Sequence, residues 1–103
     1  MYSRVTLLEI DTMRIDVSDA AELFREQVLP GLQEQDFYEG AVVLATPEGR
    51  GMIVTIWDSE DAARDGSGFA AKALERYLTI FKAPPGREQY EVVVADLPGV
   101  LVA

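Results

Sequence analysis

An α+β fold, an antiparallel four-stranded sheet carrying both helices on one face, is what this sequence predicts. Three observations carry the prediction. Hydrophobic periodicity switches in the order strand, helix, strand, strand, interrupted helix, strand. Breakers mark the junctions: Pro47-Glu48-Gly49-Arg50-Gly51 between the two middle strands, and Pro84-Pro85-Gly86 before the last. The strands are apolar on both faces, so each face of the sheet needs a cover. This order is the split βαβ, ferredoxin-like arrangement. The 103 residues, 49% of them apolar, are read as one domain spanning 1–103.

Arg4 to Thr12 reads as the first strand, with Val5, Leu7 and Glu9 on one face and Thr6, Leu8 and Ile10 on the other. Asp16 and Ser18 are candidate N-caps for a helix whose stripe is Ala20, Leu23, Phe24, Val28 and Leu32. Pro30 cannot donate to the carbonyl of Glu26, so the helix ends near Leu29 or kinks into a last turn through Gln33. Asp36 to Gly40 is a connector. Ala41 to Thr46 and Met52 to Trp57 form a hairpin around the Pro47–Gly51 loop.

Asp58 or Ser59 starts the second helical stretch, with Glu60 and Asp61 favoured in its first turn by the helix dipole. Gly66-Ser67-Gly68 is expected to interrupt it, because glycine inside a helix costs ~1 kcal/mol relative to alanine. A further helix from Phe69 to about Lys82 carries Ala70, Ala73, Leu74, Tyr77, Leu78 and Phe81 inward. Glu88 to Asp96 is the last strand. The apolar tail 97–103 is expected to pack on a partner or fold back, with an aggregation-prone loose end as the alternative. A second copy of the sheet is the simplest cover for the open face, which predicts a homodimer through sheet faces.

The charge balance, 9 basic against 18 acidic residues, gives −9 and argues against binding nucleic acid or an anionic membrane surface. The absence of cysteine excludes disulfides and thiol chemistry. The absence of histidine removes the commonest metal ligand and the side chain best suited to proton transfer near neutral pH. No apolar run approaches the ~20 residues of a membrane span, and no signal-peptide pattern is present, so a cytoplasmic protein is expected.

The run Ile53-Val54-Thr55-Ile56-Trp57-Asp58-Ser59-Glu60-Asp61-Ala62, with Val28-Leu29-Pro30-Gly31-Leu32 and Asp36-Phe37-Tyr38-Glu39-Gly40, resembles the antibiotic-biosynthesis-monooxygenase-like group of the dimeric α+β barrel superfamily. The resemblance covers about Arg4 to Asp96. It implies a pocket between sheet and helices in each subunit. Some members oxidise polycyclic aromatic substrates there without metal or flavin, and others degrade haem. The haem-degrading members use a first-strand asparagine, the tryptophan and a histidine. Here the tryptophan is present as Trp57, Leu8 stands near the asparagine's place, and the chain has no histidine. That resemblance therefore speaks against haem degradation, and no cofactor is expected.

On this reading Trp57 stacks on an aromatic substrate, while Phe24, Tyr77 and Phe81 wall the pocket. The plainer reading of all four is core packing. Tyr38 is a possible proton donor or anchor, or simply a surface or interface tyrosine. Glu9, inside a strand, is either a base with a raised pKa or paired with a basic residue such as Arg4 or Arg87. Asp58, Glu60 and Asp61 are explained by capping rather than metal binding. The resemblance thus implies a cofactor-independent oxygenase of small aromatic molecules. The alternative is a non-catalytic dimeric binding or assembly protein whose sheet–helix space is filled.

Overall fold

The structure is a computed structural model that describes residues 1–75, 80–82, 86–97 and 100–102. Its elements are β1 (Tyr2–Glu9), α1 (Val17–Gln27), α2 (Leu29–Gln33), β2 (Tyr38–Ala45), β3 (Arg50–Trp57), α3 (Glu60–Glu75), β4 (Gly86–Glu91), β5 (Ala95–Leu97) and β6 (Val100–Val102). The first four strands make one antiparallel sheet in the order β2-β3-β1-β4. The α+β class and the ferredoxin-like strand order are as the sequence predicts.

Register sorts the side chains onto two faces. Trp57 pairs with Tyr2 on β1 and with Tyr38 on β2, Thr55 with Arg4 and Ala41, and Ile53 with Thr6 and Val43. Trp57, Thr55 and Ile53 are buried, which identifies theirs as the helix-covered face. Val28, Leu32, Ile53, Trp57, Ala63 and Leu74 form the core there. The opposite face presents Val5, Leu7, Val42, Leu44, Met52, Val54, Ile56 and Tyr90, with Leu7 and Leu44 more than half exposed.

Local chemistry explains most boundaries. α1 stops at Gln27 and Pro30 enters at the start of α2, where its missing N–H removes no helical bond. The chain therefore kinks, the second of the two outcomes foreseen for Pro30. In the β2–β3 turn, Gly49 has φ +98°, a Cβ there would run into the Ile10 carbonyl, and the Gly49 carbonyl accepts from the Ile10 N–H at 2.7 Å. Only glycine fits that approach. Ser59 Oγ accepts the Ala62 N–H at 3.0 Å and caps α3. Asp16 stands at the N-cap of α1, yet its side chain makes no capping bond.

Several expectations are corrected. β1 begins at Tyr2 and ends at Glu9, with Ile10 adding an isolated bridge to Phe81. α3 runs unbroken through Gly66, Ser67 and Gly68 to Glu75, because the burial of Ala63 and Leu74 on either side outweighs the glycine penalty. It does not reach Lys82: residues 80–82 lie beside β1 instead. The last strand of the four-stranded sheet is Gly86–Glu91, earlier and shorter than 88–96. Ala95–Leu97 and Val100–Val102 pair as a separate small hairpin, so the tail folds back on itself. Among the described residues, no helix is long and apolar enough to cross a membrane.

Candidate functional site

β2 carries a bulge between Tyr38 and Gly40, so Tyr38 and Ala41 share the inner face although three residues apart. Tyr38 is thereby a strand residue rather than part of a connector. Its ring meets the Trp57 indole edge-on, with centroids 5.5 Å apart and planes at 78°. Partial burial raises the pKa of its phenol above the ordinary value, so it stays a neutral hydroxyl.

Trp57 is wholly enclosed. Its indole N–H donates to Thr55 Oγ1 at 2.8 Å, and Thr55 Oγ1 lies 3.5 Å from the Arg4 carbonyl. The indole is a core side chain whose polar edge is already satisfied within β3.

The apolar pocket lies further along the same face. α2 and α3 pack onto the sheet, and a space remains between the sheet and α1. The gap holds a pocket of about 60 Å³. Leu8 and Ile10 of the first strand and its extension, Val43 and Ala45 of β2, and Ile53 of β3 form the sheet side. Ala20, Phe24 and Val28 cover it from the first helix and its end, with Leu74, Ile80 and Phe81 closing the far side. Every described lining residue has a hydrocarbon side chain. Val43 and Ala45 are exposed and mark the mouth on the β2 edge; Val28 and Ile53 are buried and form the floor.

The predicted site residues therefore divide. Phe24 and Phe81 come together at the pocket and pack against the core cluster that contains Trp57. Phe81 does so from a bridge to Ile10, not from a helix. Trp57 and Tyr38 do not line the pocket. Tyr77 lies outside the described residues. Glu9 faces away from the pocket and pairs with Lys82, 3.3 Å apart, with both side chains about half exposed. The basic residue that Glu9 pairs with is thus Lys82.

Sequence reasoning missed Leu8, Val43 and Ala45 as pocket walls, although inward strand parity could have found them. It also missed the polar row Arg4, Thr6 and Thr55 on the covered face. Among the described residues, no cluster of His, Cys, Asp or Glu is placed to hold a metal ion. A second hollow, about 400 Å³, opens between Asp36-Phe37 and the start of α3 and is lined by Asp61 and Asp65.

No protein-family model and no curated protein matches the chain. Solved structures do. A protein of unknown function from Nitrosomonas europaea superposes with a TM-score of 0.73 at 18% identity, covering 94% of this chain and 93% of that one. A monooxygenase of Streptomyces coelicolor, solved in complex with nanaomycin D, gives 0.71 at 21% identity over 94% and 91%. SnoaB, a cofactor-independent oxygenase from Streptomyces nogalater, gives 0.69 at 10% identity over 88% and 91%. The shared property is the fold.

Proposed function

We propose that this chain, built on the fold of the antibiotic-biosynthesis-monooxygenase-type proteins, is a cofactor-independent oxygenase of a small aromatic molecule. The observation that carries the reading is the pocket between α1 and the sheet, walled by Phe24 and Phe81, whose described lining is all hydrocarbon. That one neighbour of this fold, a monooxygenase, was solved in complex with the ligand nanaomycin D supports a small-molecule substrate.

A pocket of about 60 Å³ is far below the ~300–1,000 Å³ typical of ligand sites. The ring therefore sits at the mouth, over Val43 and Ala45, with its edge against Phe24. The described lining offers no base, so the substrate hydroxyl ionises where the mouth meets solvent. The electron-rich anion then reacts with dioxygen. One oxygen atom becomes a carbonyl on the oxidised ring carbon, and the other leaves as water with the one hydrogen of that carbon and the proton released by the hydroxyl. The substrate supplies all four electrons, so no metal or flavin is needed. Trp57 and Tyr38 act from behind, fixing the strand ends that shape the pocket. The apolar outer sheet face is covered by a second copy, giving a homodimer.

One observation favours the rival reading of a non-catalytic assembly protein: the space around Trp57 is filled. Oxygen uptake separates the two. With a panel of polycyclic phenols and quinols, the oxygenase consumes oxygen with at least one of them, and Phe24→Ala abolishes that uptake. A folded protein that neither binds nor oxidises any of the panel is the assembly protein.

A further inference from the structure

We propose that the floor of the α1–sheet pocket is a docking site for dioxygen, separate from the place of the organic substrate at the mouth. The inference rests on the oxygenase reading for its purpose but on the pocket's size and chemistry for its content.

Size comes first. An aliphatic and phenylalanine-lined hole of ~150 Å³ stays dry and takes benzene or xenon, while a single water needs ~10–15 Å³ of probe-filled space. At about 60 Å³ this pocket is too small for a ring and several times larger than one water. A diatomic gas fits. Chemistry then decides between gas and water. A water needs two to four polar partners. The lining side chains Leu8, Phe24, Val28, Ile53, Leu74 and Phe81 have none to give. An uncharged apolar diatomic loses nothing by leaving water for such a surface, whereas water loses its hydrogen bonds.

Access is visible too. Val43 is 41% exposed at the mouth, whereas Val28 is 1% and Ile53 4% exposed at the floor. A molecule entering past the β2 edge descends onto hydrocarbon. An aromatic ring seated afterwards over Val43 and Ala45 would hold the gas beneath its face, adjacent to the carbon it attacks.

The test is methyl NMR on the full chain under dissolved dioxygen, whose paramagnetism speeds relaxation of nearby protons, with xenon as a second probe. The expected result is enhanced relaxation, and xenon-induced shifts, at the Leu8, Val28 and Ile53 methyls. Leu32 is the control: it is as buried as Val28 but does not line the pocket. Ala21→Leu fills the pocket from α1 and should remove both effects; Ala45→Val does so from β2 should the first variant not fold. Equal effects at Leu32 and Ile53, or effects that survive both fillings, would overturn the proposal. The two readings fail separately. Localised gas without oxidation of any substrate keeps the docking site and sinks the oxygenase. Oxygen uptake without localisation sinks the docking site alone.

Discussion

The Trp57 indole N–H and the Thr55 hydroxyl oxygen, 2.8 Å apart on the covered face of β3, form a closed polar pair inside an apolar core. A tryptophan two residues along a strand from a threonine shares its face, and here the threonine absorbs the donor that a ligand would otherwise meet. Trp57→Phe is expected to cost ~2–4 kcal/mol, from lost volume and a lost hydrogen bond. Thr55→Val strands the indole N–H and should cost ~1–3 kcal/mol. The double variant should lose less than the sum, which urea denaturation of all four proteins measures. Activity per folded molecule should survive Trp57→Phe, since the indole does not line the pocket. That outcome differs from the direct stacking role inferred from sequence.

Much of the fold was legible because periodicity and breakers agree over β1, β3 and the kinked first helix. What was not legible has identifiable causes. The bulge at Glu39 breaks the two-residue period, so Tyr38 looked like a connector residue. Phe81 continues the helical spacing of Ala73 and Leu74, yet a bridge to Ile10 holds it beside β1, because strand pairing across the chain overrides local pattern. The pocket itself depends on how far α1 stands from the sheet, a distance that no periodicity encodes. Phe24 could be placed on the inward stripe, but whether it met a wall or a hollow could not.

Tyr38 gives a pH signature. Burial raises its phenol pKa in the folded chain above the ordinary value of 10.0, so the unfolded chain releases the proton first as pH rises. The stability linked to this group is complete below pH 10 and is lost as pH climbs through the folded-state value. Urea midpoints measured across that alkaline range should fall more steeply for the wild type than for Tyr38→Phe. Parallel curves would show that the phenol ring packs without this linkage.

Gly31 in α2 faces the Phe69 ring of α3, and a Cβ there would overlap the ring atoms. Gly31→Ala gains helix propensity, worth up to ~1 kcal/mol, but forces the ring aside. Overpacking of this kind costs ~1–3 kcal/mol, so a net loss is expected in thermal or urea denaturation. Gly31→Ala combined with Phe69→Leu should recover part of it, because the smaller side chain vacates the contact. A stabilised single variant would mean that Phe69 turns away freely.

The outer sheet face supplies the last expectation. Leu44 is 54% exposed on β2, and Val42, Met52, Val54 and Leu7 continue the patch across three strands. In a two-fold dimer each substitution occurs twice in the interface, so one lysine introduces two charges into an apolar contact. Leu44→Lys should therefore convert a sedimenting dimer into a monomer. Met13→Lys is the matched control, since Met13 is almost fully exposed in the β1–α1 connection and not on this face. The pocket lies on the other side of the sheet, so the Leu44→Lys monomer should keep the gas-sensitive methyl signals of Val28 and Ile53. If Leu44→Lys sediments as the wild type does, the second copy covers some other surface. If both lysine variants dissociate alike, added charge rather than this face is the cause.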